Sequence, residues 1–388
     1  MKAIRLQILM LSMGIACALP ALAQQNVRQQ GGVTTITTEA QEPAFTVRDY
    51  INARPLPLPR NPNPPPNAIE LPDLDAVRDL LPSTPGFSAG AQGAGRTNPT
   101  LVPKSGIDED EVGSEEFGTS LQPFSTAKAD LSGLATNTYY PYRAAGKLFF
   151  RDGNSSFICS ASLIKRGLVV TAAHCVSAYG QKRFYTSIQF IPGYRNGAAP
   201  YGTWNAASTS VLSSYFNGTD SCSTTGIVCV NDVATVRLSP QNNVFPGTNT
   251  GWYGYGWNGF GFTSTANNGL THVSQLGYPA GLDSALYMAR NDSQGFVNSS
   301  QSSNTIIGSL MNGGSSGGPW LINLGIRPTL SGISSGTYPN SNTVVGVTSW
   351  GYTNQGIKQQ GASPFKDTNI VTLVNTLCGN PVTQAACL

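Results

Sequence analysis

Leu168-Val169-Val170-Thr171-Ala172-Ala173-His174-Cys175 is the stretch on which the reading of this chain turns. An apolar, β-branched run that ends in small residues predicts a buried strand closing on a tight turn, and this turn carries a histidine. A single histidine is more often structural than chemical. Here Cys175 stands beside it, with Cys159 within short range, and a disulfide between them would hold the turn that presents His174. A loop of that size limits the unfolded chain by about 3 kcal/mol.

Two further segments complete a pattern. Asn231-Asp232-Val233-Ala234-Thr235-Val236-Arg237-Leu238 places an acid at the start of an apolar strand. The plain reading is a turn residue that begins the strand. The chemical reading is a buried carboxylate that orients an imidazole and stabilises its cation. Gly313-Gly314-Ser315-Ser316-Gly317-Gly318-Pro319-Trp320 places a serine among glycines. A surface loop is the plain reading. The chemical reading is a nucleophile, Ser316, in a loop whose glycines admit a substrate closely. The amides of Gly314 and Ser316 would then converge on the oxygen of a tetrahedral intermediate.

Composition frames these segments. The chain has 388 residues, of which 11% are charged and 43 are glycine, which favours strands and turns over charged helices. Short runs at Lys147–Phe150, Phe157–Ile164, Leu168–Ala172, Val233–Leu238, Thr305–Leu310 and Thr343–Trp350 predict an all-β region. One helix is expected near the end, capped by Asp367 or Thr368, with Ile370, Val371, Val374 and Leu377 at helical spacing.

The N-terminus predicts an export signal over residues 1–23. Lys2 and Arg5 precede an apolar stretch, and Ala21-Leu22-Ala23 supplies small residues for cleavage. Lipid attachment at Cys17 is the alternative. The stretch is too short to favour a membrane span. Beyond the signal, Cys159, Cys175, Cys222, Cys229, Cys378 and Cys387 form an even set in three short-range pairs, which predicts sequential disulfides in a secreted or periplasmic protein.

Residues 24–122 differ from residues 123–388. Arg54–Pro66 alternates and then clusters prolines, which excludes helix and central strand and favours extended polyproline conformation. A short helix is expected at Asp73–Leu81, then a Gly/Ala/Ser stretch and the acidic run Asp108–Glu111. The region reads as a largely disordered leader. It carries 13 acidic and 7 basic residues, against 7 and 14 in residues 123–388, so it is acidic where the following domain is basic. Opposite charges would let the leader dock on its own domain; equally, each region stays soluble by its charge.

At this point a family resemblance is visible. The segments CSASLI (159–164), LVVTAAHC (168–175), NDVATVRL (231–238), GSSGGP (314–319) and VVGVTSWG (344–351) resemble trypsin-like serine peptidases, in that order. The order His, Asp, Ser is that of the trypsin/chymotrypsin fold. The resemblance spans roughly residues 125–388. It implies two six-stranded antiparallel barrels with a C-terminal helix, and His174, Asp232 and Ser316 as general base, orienting acid and nucleophile. It also implies Gly314 and Ser316 as the oxyanion-hole amides, Ser349, Trp350 and Gly351 as the edge that pairs with substrate, and Leu310 at the base of the specificity pocket. Tyr140–Phe150 and Gly277-Tyr278-Pro279 resemble the bacterial glutamyl-endopeptidase branch.

Two departures matter. Ser315 precedes the nucleophile where animal members carry an acid that pairs with a new N-terminal amine, so that ion pair is not available here. No acid or histidine stands at the pocket positions. His272, the second histidine beyond the signal, would have to reach the pocket from another segment, and the hydroxyls of Thr348 or Ser349 are neutral donors. An uncharged, mainly apolar side chain before the scissile bond is therefore expected, with Glu second. The expected enzyme is a monomeric serine endopeptidase acting on protein or peptide substrates, with its own leader as a further partner. No cofactor, metal, nucleic acid or membrane span is expected. The rival readings are a catalytically silent binding protein on the same scaffold and an adhesion protein that displays the Pro-rich region.

Overall fold

The computed structural model describes residues 26–38, 45–64, 85–104, 116–118, 122–131, 134–262, 269–325 and 340–388. The export signal, the helix expected at Asp73–Leu81, the acidic run and most of the loop 327–342 lie outside them.

The first barrel begins with the hairpin of Ala145–Asp152 and Ser155–Lys165, whose apolar residues Leu148, Phe150, Ile158 and Leu163 are buried. Leu168–Thr171 continues from it and is buried along its whole length. Ala234–Leu238 pairs with that strand, Trp204–Leu212 with Ala234–Leu238, and Thr186–Pro192 with Trp204–Leu212. Thr186–Pro192 returns to Ala145–Asp152, so six antiparallel strands close on themselves and leave no free edge.

The second barrel repeats the solution. Thr271–Gly277, Ala289–Asn298, Asn304–Gly308 and Gln359–Ala362 pair in succession, and Gln359–Ala362 pairs with Trp350–Tyr352. The chain runs from Thr343–Val347 through Thr348 and Ser349 into Trp350–Tyr352. Its first part pairs with Pro319–Ile322, which pairs with Thr271–Gly277 and closes the ring. Trp320, Val273, Ile307 and Ala362 fill the interior.

The terminal helix is observed as a wide turn, Asp367–Val371, followed by Thr372–Cys378. It buries Ile370, Leu373, Val374 and Leu377, while Val371 is half-buried. Its start differs from expectation: the Asn369 side-chain oxygen accepts from Lys366 N at 2.7 Å, and the Asp367 carboxylate instead accepts from Asn258 Nδ2 at 3.1 Å. Disulfides join Cys159–Cys175, Cys222–Cys229 and Cys378–Cys387. No helix among the described residues is long and apolar enough to cross a membrane.

Described parts of residues 24–122 add strands to both barrels. Val33–Thr37 pairs with Trp204–Leu212, and Asn26–Gln30 pairs with Val33–Thr37. Gly86–Ser88 pairs with Gly254–Trp257, and Thr100–Leu101 with Ala198–Ala199. Arg54–Pro55 runs parallel to Phe157–Ile158, and Arg60–Asn61 runs parallel to Gly351–Tyr352. The composition of this region carried no sign of these pairings, since backbone groups made them.

Lys147 is an anomaly in the first barrel. It is fully buried and its amine has no hydrogen-bond partner among the described residues. The amine lies 4.1 Å from the centre of the Tyr194 ring, with Tyr278 at 5.4 Å and Phe149 at 5.6 Å. Ring faces offset part of the lost hydration, but burial still pushes the amine's pKa down from its usual value near 10.5 to about 7. Below about pH 7 both folded and unfolded chains hold this proton and the cost of burial is present in full. Between about 7 and 10.5 the folded chain has released it, so the Lys147 contribution to stability rises with pH across that window. Urea denaturation is expected to show Lys147→Met more stable than wild type at pH 6, with the difference shrinking towards pH 10. Parallel pH profiles for the two proteins would contradict this account.

Candidate active site

His174 lies in a single helical turn, Ala173–Cys175, directly after the buried strand Leu168–Thr171. The Cys159–Cys175 disulfide ties that turn to the neighbouring strand Ser155–Lys165. Asp232 precedes the strand Ala234–Leu238, and its N–H donates to Ser363 Oγ at 3.1 Å. The Asp232 carboxylate, 2% exposed, accepts three hydrogen bonds. Oδ1 takes the His174 N–H at 2.9 Å. Oδ2 takes His174 Nδ1 at 2.8 Å and Ser349 Oγ at 2.5 Å. The bond at Nδ1 selects the tautomer with its proton there, so Nε2 is the basic nitrogen of the neutral ring.

Ser316 sits in a turn that only glycine permits. Gly314 has φ +89° and Gly317 φ +76°. A Cβ at Gly317 would fall 1.9 Å from Thr171 Oγ1 and 2.9 Å from Ala172 N, which places the serine turn hard against the end of the histidine strand. Ser160 N donates to Ser316 O at 2.7 Å, and Gly317 N to Thr348 O at 2.8 Å. The Gly314 carbonyl is turned away from the cleft, accepting from Ser160 Oγ at 2.8 Å, and the same oxygen of Ser160 accepts from Tyr278 N at 2.9 Å. Ser315 closes the turn through bonds from its N–H and Oγ to Asn312 O, at 3.1 and 2.6 Å. Ser315 thus holds by neutral hydrogen bonds what an ion pair would otherwise hold.

The reactive atoms are covered. His174 Nε2 and Ser316 Oγ are buried, and neither has a hydrogen-bond partner among the described residues. The bond between base and nucleophile in such sites is often long until a substrate is bound. Gly314 N donates at 3.1 Å to Leu56 O, a carbonyl of the N-terminal region.

Beside the serine turn lies a pocket of about 550 Å³. Leu310 and Gly351 line it, together with Leu58, Met311, Asn312, Lys358 and Gln360. Ser349 and Trp350 stand behind the wall. Ser349 spends its hydroxyl on Asp232, and Trp350 Nε1 donates to Asn304 Oδ1 at 2.7 Å. Thr348 is committed too: its Oγ1 accepts from Trp320 Nε1 at 2.9 Å and Gln275 Nε2 at 2.7 Å and donates to Gly318 O at 3.5 Å. Neither hydroxyl is therefore available to a substrate carboxylate, which corrects that reading of the sequence. His272 is exposed on Thr271–Gly277 and does not line the pocket.

Sequence reasoning missed the support beneath the pocket. Gln275 joins Thr348, Gln360 and Ser309 in one buried network, with Ser309 Oγ donating to Gln275 Oε1 at 2.8 Å and Gln275 Nε2 to Gln360 Oε1 at 2.6 Å. Isolated glutamines carry no signal in sequence; only their convergence reveals the role. Two clusters of metal-ligand residue types occur among the described residues, Cys159 with His174 and Cys175, and Asp220 with Cys222 and Cys229. Their sulfurs are paired in disulfides and offer no thiolate.

Among solved structures, the chain is similar to a thermostable serine protease, AL20, from an extremophilic microorganism, at 22% identity and TM-score 0.47, covering 58% of this chain and 93% of that one. It is similar to the protease Anisep of Arthrobacter nicotinovorans at 26% identity and TM-score 0.47, covering 61% and 95%. A Glu endopeptidase matches at 20% identity and TM-score 0.43, covering 65% and 95%. No curated protein matches the sequence. The sequence model of the trypsin family matches residues 135–369, more than half of the chain. With the two barrels this settles the family: the chain is a member of the trypsin family of serine peptidases.

Proposed function

We propose that the chain is an exported serine endopeptidase that works through His174, Asp232 and Ser316 and is made as a precursor. The observation that carries the reading is the three-way bonding of the buried Asp232 carboxylate, which fixes the His174 ring and leaves Nε2 turned to accept a proton.

In this mechanism Ser316 Oγ attacks the peptide carbonyl carbon and passes its proton to His174 Nε2. The carbonyl oxygen becomes an oxyanion held by the N–H groups of Gly314 and Ser316. The imidazolium, stabilised by Asp232, then gives the proton to the leaving nitrogen, the C–N bond breaks, and an acyl-enzyme remains. Water repeats the sequence and releases the acid. One oxyanion donor is worth about 3 kcal/mol in such a site.

Ser316→Ala, His174→Ala and Asp232→Asn are each expected to remove nearly all turnover while leaving the fold intact by circular dichroism, and Ser316→Ala/His174→Ala to lose little more than either alone, since the groups act as a unit. A fluorophosphonate probe is expected to add once to the wild type, read by intact mass. Purified Ser316→Ala with wild-type turnover would sink the assignment.

For the side chain before the scissile bond, the pocket supports uncharged, mainly apolar residues. Leu310 and Met311 supply apolar wall, and no acid among the described residues lines it, which disfavours Lys and Arg. Glu is the second reading, favoured by the Lys358 ammonium at the same pocket. Matched chromogenic peptides ending in Phe, Leu, Ala, Glu and Arg decide the matter. A kcat/KM for Glu or Arg about tenfold above every apolar substrate, roughly 1.4 kcal/mol, would overturn the preference.

The precursor reading rests on the Pro-rich, acidic region 24–122 and the export signal before it. N-terminal sequencing of the secreted, active form is expected to start between Lys104 and Thr138. Active enzyme that still starts near Gln24 would contradict it.

A further inference from the structure

The Asp232 site is assembled, yet His174 Nε2 and Ser316 Oγ are buried, and residues of the chain's own N-terminal region lie against Gly314 and Gly351 beside them. We propose that Arg54–Asn61 is an inhibitory strap that fills the substrate cleft in the non-productive direction, and that the same segment is a ligand of the active enzyme. The inference rests on the peptidase reading above and names how that site is kept silent.

Contacts run the length of the segment. Leu56 N donates to Ile158 O at 2.9 Å, and Leu56 O accepts from the oxyanion-hole amide of Gly314 at 3.1 Å. Pro55 lies against Gly314, where an added Cβ would come 3.3 Å from its own. Leu58 is 3% exposed and forms the wall of the pocket together with Leu310, touching Gly351 so closely that a Cβ there would meet Leu58 Cδ2 at 2.9 Å. Gly351 N donates to Pro59 O at 2.9 Å, Arg60 Nη1 to Tyr352 O at 2.9 Å, and Thr353 N to Asn61 O at 3.0 Å. Thr224 Oγ1 anchors the far end through Asn61 Oδ1 at 2.9 Å.

The mismatch between these contacts explains why the strap survives. In a productive complex the side chain in the pocket and the carbonyl at the oxyanion amides belong to one residue. Here the leucine against the pocket is Leu58, while the Gly314 amide holds the carbonyl of Leu56, two residues earlier. The pairing with Gly351–Tyr352 is parallel. The bonds that follow Leu56 and Leu58 are both X–Pro bonds, whose nitrogen is locked in a ring and carries no hydrogen. Occupancy without attack is the result.

A cut between Lys104 and Thr138 leaves the strap in place, because Val33–Thr37 and Gly86–Ser88 still pair with the sheets of the two barrels and Thr100–Leu101 with Ala198–Ala199. Activation therefore requires the leader to leave or to be cut again.

The test uses the full chain and the rate of fluorophosphonate labelling at Ser316, with intact mass reporting whether the leader is retained. Wild type is expected to label slowly, and Leu58→Lys, which sets a further cation beside Arg60 and Lys358, to label about tenfold faster or more with its leader still attached. Equal rates in both proteins would overturn the strap and leave the peptidase standing. No labelling of either protein, even after added peptidase has digested the leader, would remove the peptidase reading and the strap together. A second arm does not depend on folding of the variant. The synthetic peptide of residues 54–61 is expected to slow labelling of the processed enzyme competitively and to be recovered intact, and its Leu58→Lys counterpart to have no effect. A peptide that leaves the rate unchanged, or is cleaved within its length, would refute the proposal.

Discussion

Everything near the cleft is arranged around one buried carboxylate. Asp232 comes from the first barrel and takes two bonds from His174 of the same barrel and one from Ser349 of the second. An ionised group buried this deeply is costly unless its oxygens are satisfied. Supplying the third donor from the other barrel therefore fixes how the barrels meet. Ser363, also from the second barrel, bonds the Asp232 N–H and the Cys229 carbonyl, at 3.1 and 2.7 Å, and repeats the constraint on the other side. A shift of either barrel by an ångström would leave the carboxylate short of a partner, so catalytic geometry and domain packing are one problem.

That coupling explains what was legible in the sequence. His174, Asp232 and Ser316 were readable because each sits where a strand pattern ends, and the strand pattern is itself strong: Leu168–Thr171 and Ala234–Leu238 are paired neighbours in the barrel. The glycines around Ser316 were readable because positive φ and close approach leave few alternatives. Support residues were not. Ser160, Gln275, Ser349 and Ser363 are common polar residues whose roles depend on partners more than 80 positions away or on a different barrel. The hydroxyl of Ser349 illustrates the limit. Its position beside Trp350 suggested substrate contact, and only the approach of Asp232 from the first barrel shows where its hydrogen goes.

Lys147 and Ser315 show a second limit. In sequence Lys147 lies in an apolar run and looks like the exposed member of a strand. The two rings that receive it, Tyr194 and Tyr278, come from separate barrels, so no local pattern foretells a buried amine. Ser315 reads as the loss of an acid. In the fold it is a gain of two short-range bonds to Asn312, which order the serine turn without any charge released by processing. A turn that is ordered in this way has no need of a new N-terminus to form it. Control over such a site then falls to access, not to assembly.

The Pro-rich segment shows how access can be controlled by sequence alone. In an extended chain, N–H groups point alternately to the two sides. Prolines at 55, 57 and 59 strip donors from one side only, while Leu56 keeps both its N–H and its carbonyl for the enzyme and uses them on Ile158 and Gly314. The same prolines fix φ before binding, so less conformational freedom is lost when the segment is laid into the cleft. Composition alone excluded helix and central strand and suggested a passive linker. The register of the prolines carries the further content: a peptide that is stiff, lacks a donor at every second residue, and offers an X–Pro bond after each of its two leucines.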